Sequence, residues 1–274
     1  MDLKGLSGGM YKPLSSDGIA TIHAAALSIL EKTGITYEPG LGDTVDMLAD
    51  AGADVDREKK RIRFSPELID EQAAKAPGRV VLYARDGKND LDLTEDKVHL
   101  GTGGAAVKIL DLDTGQPRSS TLRDLYDLGR LVDRLDHIHF FLRPCIPTDI
   151  PEADYDVNMF YACLKSTAKH VMSGVNDEAG LQRVIDMAGM LAGGKAALAA
   201  KPFISVITSF AISPLKLCTQ STRIMQACNR NGIPVALSAA PMSGSTSPMT
   251  MAGTLAQLHA EQLAGITICQ LTRP

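Results

Sequence analysis

The chain has 274 residues, with 28 Lys+Arg against 32 Asp+Glu, a formal net charge of −4 and a sequence pI near 5.9. That balance lacks the basic footprint of a general nucleic-acid binder. At 45% hydrophobic and 22% charged, with 24 Gly and 14 Pro scattered along it, the chain reads as globular, which excludes disordered, collagen-like and low-complexity classes.

The length allows one large domain or two ordinary ones. No run of 18 uncharged apolar residues occurs, so no membrane span is predicted. The longest low-charge stretch, 202–215, is broken by Ser205, Thr208, Ser209, Ser213 and Pro214. The opening MDLKGLSGGMYKP lacks the apolar core of a signal peptide. Cys145, Cys163, Cys218, Cys228 and Cys269 form an odd set without a C-x-x-C pair. Free thiols in a reducing cytoplasm fit that pattern better than a disulfide framework or a zinc knuckle.

In chain order, 17–33 carries Ile19, Ile22, Leu27, Ile29 and Leu30 at helical spacing, with Ser16 as its predicted N-cap and Gly34 as its stop. A second helix is predicted over 41–51, ending at Gly52. Residues 54–56 and 61–64 flank the charged turn REKK and predict a hairpin. Ser65-Pro66-Glu67 opens a helix to about Lys75, with Pro at its first position. Residues 79–84 alternate as a strand before the turn Asp86-Gly87. No reactive constellation sits in residues 1–96, which read as a small α+β cap module.

From residue 97 onward the pattern becomes regular. Strands are predicted at 98–101, 137–142, 170–173, 203–208, 234–238 and 266–271. Helices are predicted between them at 122–135, 154–166, 178–191, 214–231 and 249–263. The later strands begin 31 to 33 residues apart, close to the unit of a (β/α)8 barrel of about 250 residues. A doubly wound sheet gives similar alternation, but no G-x-G-x-x-G or G-x-x-x-x-G-K-[ST] loop is present. Residues 107–120 read as an inserted hairpin, after which Thr121 caps a helix in a box with Asp124. Residues 97–274 therefore read as a TIM-type barrel of about six βα units. Two more units would need roughly 60 residues, so a truncated product with an open, association-prone edge is expected.

In a parallel barrel the active site lies at the carboxyl ends of the strands. That rule selects Gly103 and Gly104 after the first strand, Arg143 and Asp149 after the second, and Ser173 after the third. It also selects Ser209 after the fourth strand, Ser238 and Met242 after the fifth, and Gln270 after the sixth. Glycines at 101–104 allow close backbone approach by a ligand, or simply a tight turn into the hairpin. The segment SAAPMSGSTS at 238–247 has the composition of a loop that closes over a ligand, and equally of a plain connection. His137-x-His139 has metal-pair spacing but opens its strand, at the wrong end for a barrel site. No G-x-S-x-G, H-E-x-x-H or Schiff-base lysine stands out.

The stretch LGTGGAAVKILDLDTGQPRSSTLRDLYDLGRLVDRLDHIHF, with RPCIPTDIP after it, resembles the trimethylamine:corrinoid methyltransferase family. IHAAALSILEKTGITY and PVALSAAPMSGSTSPMTMAGTLAQLHAEQLAGI resemble it as well, so the likeness runs from about residue 10 to the end. The resemblance implies a TIM barrel that moves a methyl group from a methylated amine, or from glycine betaine, to the cobalt of a corrinoid on a separate protein. It also implies longer chains, and that the position held by pyrrolysine in some members lies outside this sequence. The implied chemistry is mostly positioning and electrostatics. An ammonium substrate is held by aromatic faces or carboxylates, for which Asp149, Tyr155 and Phe210 are the expected side chains. Arg143 would pair with a betaine carboxylate. A non-catalytic amine-binding barrel or inactive remnant is the second expectation, and a metal-dependent hydrolase through His137 and His139 the third. A homo-oligomer is expected, with no nucleic acid, membrane or directly bound cofactor.

Overall fold

The structure is a computed structural model that describes residues 6–94 and 96–273. Residues 1–5, part of the segment read as lacking a signal-peptide core, lie outside the described residues. The architecture is mixed α/β, with parallel and antiparallel open sheets and helices. The chain divides into two compact units. The first comprises 6–10, Gly78–Ile207 and Asn231–Pro234; the second comprises Tyr11–Pro77, Thr208–Arg230 and 235–273.

The first unit is built on a parallel ladder. Phe141–Leu142 pairs with Val171–Ser173, and Val171–Ser173 with Ile204–Thr208. Phe141 lies opposite Val171, and Val171 opposite Ile204. Val206 N donates to Pro234 O on the far side. Chain 101–106 runs beside the ladder through the parallel bridges Gly101–Phe140 and Ala106–Cys145. Side chains alternate between the two faces of a strand, so Phe141, Val171, Ile204 and Val206 share one face, and all four are fully buried. The helices Leu122–Asp133 and Tyr155–Ser166 cover this face. A Cβ on Gly129 would stand 2.7 Å from Cβ of Ser166 and 3.4 Å from the Phe141 ring. Glycine at 129 is therefore what allows these helices to approach so closely. Thr121 and Asp124 form the expected capping box at the start of Leu122–Asp133. Lys169 Nζ closes the other end, donating to the carbonyls of Val132, Leu135 and Ile138 at 2.8, 2.8 and 2.6 Å. The predicted hairpin forms as Lys108–Leu110 against Pro117–Ser119.

The second unit packs helices against a five-stranded sheet. Its strand order is Ala211–Ile212, Lys216–Leu217, Ile35–Tyr37, Arg61–Arg63, Asp54–Asp56. The hairpin of 54–56 with 61–63 is present as predicted. Gly34 sits at φ +69 against the carbonyl of Ile62, a conformation and a clearance that only glycine accepts easily. Leu30, Ile35, Ile62, Phe64, Ile69, Phe210, Met225 and Ile268 form the centre of this core.

Three predicted elements are corrected. The sixth strand, 266–271, is the last part of a long helix, Met251–Thr272. Its short apolar run is ambiguous by periodicity, and nothing between 263 and 266 other than Gly265 interrupts the preceding helix. Gly265 is retained because Phe210 lies on it; a Cβ there would be 2.5 Å from the ring. The helix predicted to begin at Pro214 begins at Thr219, because 211–217 folds into a hairpin first. The strand predicted at 98–101 is split, with Lys97–Val98 pairing antiparallel to Leu6–Ser7 and Gly101 bridging Phe140. Ser15, one residue before the predicted cap, accepts from Gly18 N and caps Ser16–Ser28.

Candidate functional site

The carboxyl ends of the first unit's parallel strands gather a set of buried and half-buried polar side chains. Arg143 follows Phe141–Leu142, and its backbone N–H donates to Met172 O, so the ladder register continues one residue and sets Arg143 beside Ser173. Both fall on the face covered by the helices. Tyr155 opens the helix Tyr155–Ser166, and its hydroxyl accepts from Arg143 Nη1 at 3.2 Å. The next residue, Asp156, is 3% exposed and accepts from Asn176 N through Oδ2 at 2.9 Å. Gly180, in the first turn of Glu178–Ala192, lies against the same carboxylate. That turn is capped by Asp177, whose Oδ1 accepts from Gly180 N at 2.6 Å, and it offers the Asp156 carboxylate the positive end of the helix dipole.

The electrostatics follow from burial. Asp156 is held above the ordinary carboxylate range by desolvation, with Asp177 adding to the rise and the Asn176 N–H and Arg143 opposing it. Burial also raises the Tyr155 phenol, against the pull of Arg143. The thiol of Cys163 is pushed up to about 12 by burial, so it is an inert packing group and not a nucleophile. Arg143 Nε, Asp156 Oδ1 and Ser173 Oγ are buried without hydrogen-bond partners among the described residues. Orphaned polar atoms are rare in folded proteins and call for an unseen partner. Two donors and one acceptor with spare capacity suit a carboxylate-bearing ligand or ordered water.

The structure brings together three of the sequence-derived residues, Arg143, Tyr155 and Ser173. Asp156 was missed because it sits in a helix, where the strand-end rule does not reach. The signal available was its place one residue after Tyr155 in the loop-to-helix junction. Gly103 and Gly104 are exposed in the segment alongside, with Gly104 at φ +116. Asp149 instead supports a helix start, since its Oδ1 accepts from Leu122 N at 2.8 Å, at the first turn of Leu122–Asp133.

In the second unit, Phe210 is fully buried beneath Gly265 and is a core side chain, because the small residue on the helix leaves space for its ring. Gln270 lies on the helix Met251–Thr272 and not beyond a strand. Ser209 is exposed. Ser238 N donates to Thr208 O, and Met242 is exposed in a turn whose Met242 O accepts from Ser245, Thr246 and Ser247.

Two histidines of the first unit are committed elsewhere. His139 Nδ1 accepts from Leu100 N at 2.8 Å, and burial, together with neighbouring His99 and Lys169, lowers its pKa. His170 lies between Tyr83 O and Ser205 Oγ and is held down to about 4 by burial. Among the described residues no group of three or more His, Cys, Asp or Glu is arranged to hold a metal ion. No helix among them is long and apolar enough to cross a membrane.

Comparison with known proteins adds a family to this geometry. Residues 6–274 match the family model described as trimethylamine methyltransferase (MTTB). The chain is 32% identical over 258 residues to trimethylamine methyltransferase MttB of Desulfitobacterium hafniense (strain DSM 10664 / DCB-2), covering 94% of this chain and 51% of that protein. It is 30% identical over 268 residues to glycine betaine methyltransferase of Desulfitobacterium hafniense (strain Y51), covering 96% and 54%. It is also 30% identical over 275 residues to trimethylamine methyltransferase MttB1 of Methanosarcina mazei, covering 98% and 55%. The chain thus spans about half the length of the curated relatives it matches. With the match running through both units, the chain belongs to the trimethylamine methyltransferase (MTTB) family.

Proposed function

We propose that this chain serves methyl transfer from a methylated amine or a betaine to the cobalt of a corrinoid carried by a separate protein. The observation that carries the reading is the match of residues 6–274 to a family whose relatives here are named for trimethylamine and for glycine betaine. A (β/α)8 barrel with residues 1–96 as a cap module is part of the same reading, supported by the parallel ladder and the parallel bridges beside it. Cytoplasmic placement is supported by five free thiols. Self-association is a further part of the same reading.

The residues we assign to substrate are those at the strand ends. Arg143, with Tyr155 and Ser173, takes a betaine carboxylate through its spare Nε–H. Gly103 and Gly104 let the ammonium group lie close to the backbone. Ser209, Ser238 and Met242, in the second unit, remain assigned by the strand-end rule alone. The acceptor cobalt supplies the electron pair, so the chain's own work is to hold the methyl carbon in line and to exclude water.

The test is methyl transfer to free cob(I)alamin by the purified chain, followed by absorbance, with trimethylamine and glycine betaine as alternative donors. Transfer from either supports the reading. Calorimetric binding of a donor without transfer gives the non-catalytic amine-binding reading instead. Arg143→Ala is expected to lose glycine betaine binding and keep trimethylamine binding; equal loss of both rejects the role given to Arg143.

A further inference from the structure

The helices Ser16–Ser28 and Met251–Thr272 pack on one another within the second unit. Ala26 and Ala260, both fully buried, belong to the core that they share. The packing brings together two histidines that stand 236 residues apart in the chain. His23 Nδ1 lies 2.9 Å from His259 Nε2, and the ring centroids are 5.2 Å apart. Ile22, Leu255, Leu258 and Gln262 line the same cleft, of about 400 Å³. The His23 side chain is 41% exposed, so the pair is within reach of solutes.

Two imidazole nitrogens at this distance share one proton. Asp70 Oδ1 stands 3.7 Å from His23 Nε2. That is too long for a hydrogen bond, but a carboxylate there favours the proton of His23 on Nε2. Nδ1 of His23 is then a lone pair, and the proton between the rings belongs to His259 Nε2. A carboxylate behind one nitrogen of a histidine, with the other nitrogen turned to a second ligand, is how imidazoles are held around zinc. Two imidazoles bound tetrahedrally to one ion at about 2.0–2.1 Å have ring centres roughly 5 Å apart. The centroids of His23 and His259 already have that separation. Exchange of the shared proton for an ion therefore needs the rings to tilt and leaves the helices where they are. Among the described residues no third His, Cys, Asp or Glu is placed to bind the same ion, which leaves its other positions to water.

We propose that His23 and His259 form an interhelical site for a divalent transition-metal ion of the zinc class, bound by His23 Nδ1 and His259 Nε2 and completed by water. On binding, the His259 proton leaves Nε2 and is taken up at Nδ1 through solvent. Both rings stay neutral, and each gives one lone pair to the ion. Imidazole nitrogen suits zinc, copper and nickel, whereas magnesium prefers oxygen. Neither histidine belongs to the strand-end cluster, and the site does not depend on methyl transfer.

Calorimetric titration of the purified chain with zinc chloride tests the assignment, with magnesium chloride as the oxygen-preferring control. One saturable equivalent of zinc, absent with magnesium, is the expected result. His23→Ala and His259→Gln are each expected to weaken that equivalent at least about tenfold. Glutamine at 259 retains a hydrogen-bonding side chain, so its loss of zinc separates ligation from a bond that merely joins the helices. Both variants keep all five free cysteines, so zinc taken up by thiols does not imitate the loss. Circular dichroism checks that the variants keep the fold. Absence of saturable zinc binding, equal binding of magnesium, or unchanged zinc affinity in either variant overturns the proposal.

Discussion

The two units handle buried polarity differently. In the second unit the buried carboxylate of Glu261 is enclosed by donors, with Ser213 Oγ at 2.7 Å, Leu215 N at 3.0 Å and Gln257 Nε2 at 3.1 Å. It ties the hairpin 211–217 to the helix Met251–Thr272. The two orphaned atoms there, Thr222 Oγ1 and Asn229 Nδ2, lie on one helix, two turns apart. In the first unit, Lys169 and His170 are likewise satisfied, at the amino ends of the strands. At the carboxyl ends, Arg143, Asp156 and Ser173 each keep an atom in reserve, against His99 Nδ1 beside His139 at the amino end. A saturated network is architecture, whereas unused buried donors and acceptors gathered at one edge mark where a ligand is accommodated.

The contrast is broken most severely at Glu261. Glu261→Ala strands the Leu215 N–H and the Ser213 hydroxyl, while the Gln257 amide keeps its bond to Thr246 O, and should cost about 3 kcal/mol in urea unfolding; Glu261→Gln, which keeps an acceptor for Leu215, should recover more than half of it. Next comes acid. His170 titrates at about 4 in the folded chain against about 6.5 when unfolded. Between those values the unfolded chain takes up a proton that the folded chain refuses. Stability from this residue is complete above about pH 6.5 and is lost as pH falls toward 4, by up to about 3 kcal/mol. Urea midpoints at several pH values should show this slope, and His170→Asn should flatten it.

The close helix approaches sharpen the comparison at a smaller scale. Gly129→Ala in the first unit and Gly265→Ala in the second each push a methyl group into a neighbour and should cost about 2 kcal/mol. Comparable falls in melting temperature would show that the units depend equally on glycine clearance. The smallest effect is expected at Tyr155→Phe, which removes one hydrogen bond from Arg143 and should cost about 1 kcal/mol. A loss well above that would mean that Tyr155 is structural beyond its contact with Arg143.

Elements with a strong local signature were legible in the sequence. The capping box at Thr121 and Asp124, the Ser65-Pro66 helix start, and the hairpins at 54–63 and 108–119 depend on residues a few positions apart. The parallel strands at 171–173 and 204–208 followed from apolar runs set apart by helical segments. The error at 266–271 came from a run that periodicity cannot assign, and that the packing of Phe210 on Gly265 decides. At the site, the strand-end rule reached Arg143 and Ser173, but a rule about loops had no means of finding Asp156 inside a helix.

The sequence by itself determined where chain direction changes, which segments alternate, and which family the residues belong to, because caps, turns and periodic faces are properties of neighbouring residues. Only the tertiary structure decided which face of the sheet Arg143 and Ser173 occupy, that Asp149 supports a helix start, and that Phe210 belongs to the core. Those outcomes depend on strand register and on helices arriving from distant parts of the chain, where close packing and the need to pair every buried polar atom select one arrangement.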